Sequence, residues 1–245
     1  MRSMSMTIGT VAVLLALAVP ATAQEIRKET VHFKPGASSA TIQRALKGDQ
    51  IVDYVLRAGA GQTLDVALKK SNPQNYFNVL PPGSAEVAMF VGDTGADFKG
   101  MLPADGDYTV RVYLMRPAAR RNESSDYTLT VGVTGQALAP TAASKDALIP
   151  GTPFHASAKI PCVPPFETKP QECEAFVTRR GFDGTATVEV HGPGGLVRRV
   201  LFVKSDPVAS DSTGSLSFTR TGDLTVVKLG EDERYEVPDA LVRGG

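Results

Sequence analysis

Apolar and polar residues alternate along most of this chain in short runs with a period of two. Val52, Tyr54 and Leu56 share one face of Ile51 to Arg57, and Leu64, Val66 and Leu68 share one face of Thr63 to Leu68. A period of two marks strands with one buried face. Tyr76 to Leu80 and Val87 to Val91 read as further strands, while Ser38 to Leu46 fits either a helical turn or a strand. From Leu102 the chain reads LPADGDYTVRVYLMRPAARRNESSDYTLTVGV. Tyr108, Val110, Val112 and Leu114 fall on one face of its first half; Tyr127, Leu129, Val131 and Val133 do so in its second. The joining segment, Arg116 to Ser125, predicts a rigid hairpin whose tip carries Arg116, Arg120 and Arg121.

Gly59-Ala60-Gly61 and Pro81-Pro82-Gly83 supply turns, and Gly92 to Lys99 is a polar loop. Residues 135–153 are rich in Ala, Thr, Pro and Ser with no apolar period, the mark of a linker. Alternation resumes at Phe154. Thr185 to His191 and Leu196 to Val203 form a hairpin over Gly192-Pro193-Gly194-Gly195. Ser215 to Phe218, Leu224 to Leu229 and Arg234 to Val237 complete the set. Short connections favour antiparallel sheets. The expectation is an all-β protein of two small antiparallel sandwich or barrel-like domains, 30–134 and 154–242, joined by the 135–153 linker.

The N-terminus reads as a secretory signal over residues 1–23. Arg2 is the basic start, Ile8 to Val19 the apolar run, and Ala21-Thr22-Ala23 the cleavage site. That run is too short to span a bilayer, so the mature chain from Gln24 is expected to be exported without inserting into a membrane. No Cys stands at the cleavage site to take a lipid. Without Arg2 the 26 basic residues become 25, against 26 acidic ones, so bulk charge gives no reason to expect a nucleic-acid partner. The 2 cysteines, Cys162 and Cys173, predict one disulfide around the proline-rich loop VPPFETKPQE in an oxidising compartment.

Catalytic signals are lacking. There is no GxSxG elbow, HExxH helix or phosphate loop, and the histidines are His32, His155 and His191. No pair of carboxylates has a telling spacing. Asp93 to Asp97 and Asp105 to Asp107 read as solvated turns before calcium loops. No enzyme activity, metal or cofactor is expected. Arg198 and Arg199, adjacent on a strand, should point to opposite faces with one exposed.

Four pieces together resemble a known family: FKPGASSATI (Phe33 to Ile42), Lys47-Gly48, AGAGQTLDVAL (Ala58 to Leu68) and LPADGDYTVRV with RPAARRNESSDY. From Val31 to Val133, in order and spacing, the chain resembles the periplasmic inhibitors of g-type (goose-type) lysozyme. The resemblance implies a bacterial periplasmic or secreted protein that inserts the arginine loop into the lysozyme's acidic cleft. Arg116 and Arg120 align with the family's loop arginines. Arg121, Tyr108 and Tyr113 are further candidates, although Tyr108 shares a face with Val110 and Val112 and so competes for the core. Without the resemblance, the arginines would simply solvate a tip and pair with Glu123 and Asp126. One departure stands out: Asp105-Gly106-Asp107-Tyr108 replaces a small-residue turn. The alternative reading is an envelope module that binds glycan or another envelope protein, since GDYTVRV also resembles pre-peptidase C-terminal domains. The half from Phe154 on carries no resemblance and leaves a hydrolase as a third reading. Exposed edge strands leave a homodimer open.

Overall fold

The computed structural model describes residues 26–93 and 95–244. The secretory signal lies outside the described residues. The first half holds strands β1 (Arg27–Thr30), β2 (Ser39–Lys47), β3 (Ile51–Ala58), β4 (Thr63–Lys70), β5 (Asn75–Leu80), β6 (Phe90–Val91), β7 (Phe98–Met101), β8 (Gly106–Leu114) and β9 (Ser124–Thr134). A short helix, α1 (Arg116–Arg120), joins β8 to β9. One sheet runs β1-β3-β8-β5-β6 and the other β2-β9-β4-β7. The pairing is antiparallel except that β1 joins β3 in parallel. Ser38 to Leu46 resolves as a strand, and Val87 to Val91 shortens to the two residues of β6.

The alternating faces meet between the two sheets. Tyr54, Leu56, Tyr108, Val110 and Val112 of one sheet pack with Leu64, Val66, Leu129 and Val131 of the other. The hydroxyls of Tyr54 and Tyr127 close the end of this core at 2.6 Å. Buried hydroxyls need such a partner.

The expected arginine hairpin is not one. β8 lies between β3 and β5, whereas β9 lies between β2 and β4 in the opposing sheet. The two strands bury their apolar faces toward each other across the sandwich rather than pairing edge to edge. Alternation fixes which face is buried; it does not fix the neighbour. The segment carrying the arginines is therefore an arch from one sheet to the other.

The second half holds β10 (Ala156–Val163), β11 (Gln171–Arg179), β12 (Ala186–His191), β13 (Val197–Val203), β14 (Asp206–Ser210), β15 (Leu216–Thr221), β16 (Leu224–Leu229) and β17 (Glu233–Pro238), then helix α2 (Asp239–Arg243). They form one antiparallel sheet in the order β14-β13-β12-β11-β10-β17-β16-β15, and its end strands approach each other, so it curls toward a barrel. The hairpin over 192–195 is formed as expected. Ile160, Val188, Phe202, Val227 and Tyr235 fill the interior, and Leu241 and Val242 of α2 pack on it.

Cys162 and Cys173 are disulfide-bonded across β10 and β11, and both are buried. The bridge closes a loop with a sequence separation of 11. Loop-closure entropy makes such a bridge contribute roughly 3 kcal/mol. The Cys162→Ala/Cys173→Ala double variant should lower the urea midpoint of unfolding accordingly. An unchanged midpoint would show that the bridge holds nothing that packing does not already hold.

The expectation that one of Arg198 and Arg199 is exposed is overturned. Arg198 places Nε and Nη2 on the two oxygens of Glu233, both at 2.8 Å, and donates to the Asp211 carbonyl at 2.7 Å. Arg199 reaches Glu189 at 2.7 Å and Asp211 at 3.2 Å. Asp211 follows β14 at the sheet margin, so its carboxylate meets both neighbours although they leave the strand in opposite directions. Burial pushes the Asp211 carboxyl upward, against the pull of the two guanidinium groups.

Candidate arginine-bearing interface

The arch is held at both feet and from beneath. Met115 enters α1 with extended backbone, and its N–H donates to the Gln74 carbonyl at 2.9 Å. Pro117 stands in the first turn, where the missing N–H costs no helical bond. Ala118 is the buried residue of the helix and plugs it into the end of the sandwich.

At the other foot the N–H of Glu123 donates to Ala118 at 3.1 Å and that of Asn122 to Ala119 at 2.9 Å. This is the Schellman ending, with Asn122 in the left-handed position at φ 54°. Gly48, in the turn between β2 and β3, lies directly below at φ 60°; a Cβ there would come within 2.7 Å of the Asn122 side-chain oxygen. The Gly48 N–H donates to the Glu123 carbonyl at 2.8 Å. The Glu123 carboxylate accepts from Asn72 at 2.8 Å and from Arg121 at 2.6 Å. Two turns of the sandwich, β2–β3 and β4–β5, thus converge on one five-residue helix.

Arg116 and Arg120 are exposed and four residues apart on α1, so they project from one side of it. Among the described residues neither has an ion-pair partner, whereas Arg121 is tied to Glu123. Arg116 borders a cleft of about 630 Å³ that Asp49, Ile51, Tyr113 and Met115 also line. Arg120 faces a second depression beyond it, which Asp49 and Arg116 share. Tyr113 points out of the core, half-buried, and donates its hydroxyl to the Asn78 side chain at 3.1 Å. Burial raises its pKa, so it stays a neutral donor.

The candidate residues therefore separate. The structure brings Arg116, Arg120 and Tyr113 to one surface. It makes Arg121 a brace. It places Tyr108 at 0 % exposure, with its hydroxyl donating to the Ala104 carbonyl at 2.8 Å, so its role is in the core. The sequence reading missed Gly48, Asn72, Gln74 and Asp49, which come from distant turns. Only Lys47-Gly48 left a trace, as part of the resemblance. Asp97 and Asp107, from the acidic loops, accept the Leu68 N–H at 3.3 Å and pair with Arg57 at 3.2 Å.

The Glu123 carboxyl is held below the ordinary glutamate range, first by the Asn72 amide and then by Arg121. A carboxyl with a depressed folded value stabilises above its unfolded value, and that stabilisation is lost as pH falls through the folded one. Acid should therefore loosen the arch. Amide protection at Asn122 and Glu123, corrected for intrinsic exchange, is expected to drop relative to β8 as pH falls below about 4. Protection that holds steady down to the acid limit would show that the Glu123 brace is not what orders the turn.

Comparisons with known proteins place this half of the chain. It is similar to the inhibitor of g-type lysozyme of Escherichia coli (strain K12), with 27% identity over 123 residues, which is 49% of this chain and 91% of that protein. It is 35% identical to a periplasmic inhibitor of g-type lysozyme from Aeromonas hydrophila, whose crystal structure is matched over 46% of this chain and 100% of that chain, with a TM-score of 0.44. A counterpart from Salmonella Typhimurium is 25% identical over 44% of this chain and 98% of that chain, with a TM-score of 0.36. No family model matches the chain.

Proposed function

We propose that this chain, whose first half belongs to the family of periplasmic inhibitors of g-type lysozyme, inhibits such a lysozyme by presenting Arg116 and Arg120 to the carboxylates of its cleft. Its compartment is the periplasm, as for its relatives. Those relatives are inhibitors and not enzymes, which favours a non-catalytic role here as well.

The observation that carries the mechanism is the pair of exposed arginines, without an ion-pair partner among the described residues, one helical turn apart on a braced arch. Lysozymes cut glycosidic bonds with carboxylates, one of them kept protonated by its surroundings. A guanidinium set against such a group forms short, charge-assisted, often bidentate bonds. It also lowers the pKa of the acid and so removes the proton that catalysis needs. The arch then excludes the sugar chain. Because the arch is already ordered by the β2–β3 turn at Gly48 and the β4–β5 turn of Asn72 and Gln74, little ordering remains to oppose binding. Tyr113 and the apolar wall of the cleft beside Arg116 supply contact area at the rim.

Capture separates this from the envelope-module reading. The immobilised protein should retain a g-type lysozyme, and capture should slow as salt rises, because the arginines are exposed until they dock. Retention of wall polysaccharide with no lysozyme retained would favour a glycan-binding module instead.

A further inference from the structure

We propose that the two halves form one rigid body in which the barrel half is fastened, chiefly through Asp105, to the pole of the sandwich opposite the arginine arch. The arch therefore stays open whatever the barrel half engages. Composition alone predicts a loose linker over 135–153. The contacts around that segment argue the reverse.

Asp105 sits in the turn before β8. One of its carboxylate oxygens accepts the Ala60 N–H at 2.9 Å, within the sandwich. The other accepts Arg180 Nη1, from the barrel half, at 2.8 Å. The Arg180 side chain is only 2 % exposed, and Asp105 is its one carboxylate partner among the described residues. Arg180 also donates to Thr187 Oγ1 at 3.0 Å and to the Leu138 carbonyl. Thr187 in turn donates to the Pro103 carbonyl at 2.7 Å, again across the halves. A buried guanidinium depends on its counter-charge, so loss of Asp105 leaves Arg180 uncompensated.

Apolar contacts and the connecting chain add to this. Ala60 is buried with Leu201 and Ala209, and Leu138 and Val203 pack on them. The Leu138 N–H donates to Ala60 at 2.9 Å and that of Thr141 to Arg179 at 2.8 Å. His155 accepts the Arg179 N–H on Nδ1 at 3.1 Å, with Nε2 at 3.0 Å from the Thr141 carbonyl. Asp146 pairs with Arg179 at 2.9 Å. The segment is thus sewn down along much of its length.

The geometry sets what this docking achieves. Asp105 precedes β8 and Arg116 follows it; β8 has 9 residues, so at ~3.3 Å of rise per residue the latch and the arch are roughly 30 Å apart. The barrel half cannot swing across the arch. It is held behind it. The departure at Asp105 then serves the second half of the chain and not the arginines.

Calorimetry on the full chain tests this without any lysozyme present, so it stands or falls apart from the inhibitor reading. The unaltered protein should unfold in one transition, with equal calorimetric and van't Hoff enthalpies. Asp105→Ala should split that transition in two. Two resolved transitions in the unaltered protein, or one unshifted transition in Asp105→Ala, would overturn the proposal. Should Asp105→Ala fail to fold, spin labels at exposed Thr130 and Thr219 of the otherwise unaltered chain decide the matter. A single narrow distance distribution is expected, and a broad one would refute rigid docking.

Discussion

Replacing Arg116 and Arg120 together by alanine should raise the inhibition constant against a g-type lysozyme by a factor of about a hundred to ten thousand. A charge buried and hydrogen-bonded at an interface is worth about 2 kcal/mol or more when truncated, and each 1.4 kcal/mol is roughly a factor of ten. The protein itself should barely notice. Both side chains are exposed and have no ion-pair partner among the described residues, and substitutions at such positions usually change stability by about 0.5 kcal/mol or less. Arg121→Ala should behave differently, because Arg121 is tied to Glu123. It should loosen the arch and weaken inhibition less. A double variant with full potency would remove the arginine mechanism while leaving inhibition itself to be explained by the rest of the surface.

The largest loss of stability is expected in the other half. Arg198→Ala should cost about 3–5 kcal/mol, because it leaves the buried Glu233 carboxylate without a counter-charge and Asp211 with Arg199 alone. The side chain is 5 % exposed, Asp211 0 % and Glu233 8 %, so water cannot take over the bonds that Arg198 makes. Glu233 would keep only the Tyr235 and Ser212 hydroxyls, both at 3.0 Å. Arg57→Ala is the matched control: its pair with Asp107 is exposed on both sides, and such pairs are worth about 0–1 kcal/mol. Urea unfolding checks the contrast through a lower midpoint at unchanged slope. Equal midpoints for the two variants would show that the Arg198 network does not hold the barrel half together.

The faces of the strands were legible in the sequence, and their partners were not. Tyr54, Leu56, Val110, Val112, Leu129 and Val131 lie inward as their alternation requires. Yet the same alternation on both sides of RPAARRNESS suggested a hairpin, when β8 and β9 belong to facing sheets. Nothing local distinguishes a strand that pairs with its successor from one that packs against it. The helical turn had a local signal in Pro117 followed by Ala118 and Ala119, which the flanking strands obscured. Asn72 beneath Glu123 and Asp105 under Arg180 depend on contacts across 72 to 123 or between the halves, and no short-range pattern records them. The disulfide was readable because two cysteines allow one pairing. The hairpin over 192–195 was readable because its glycines sit between two clear strands. Arg198 and Arg199 show the limit of that reading, since strand geometry gives the direction of a side chain but not the carboxylate waiting there.

One titration decides whether the protein inhibits a g-type lysozyme. Residual g-type lysozyme activity on bacterial cell walls would be measured against rising amounts of purified protein from Gln24 onward, with chicken-type lysozyme as the specificity control. Stoichiometric loss of the g-type activity is expected while the chicken-type activity persists. Full g-type activity at micromolar excess of the protein would contradict it.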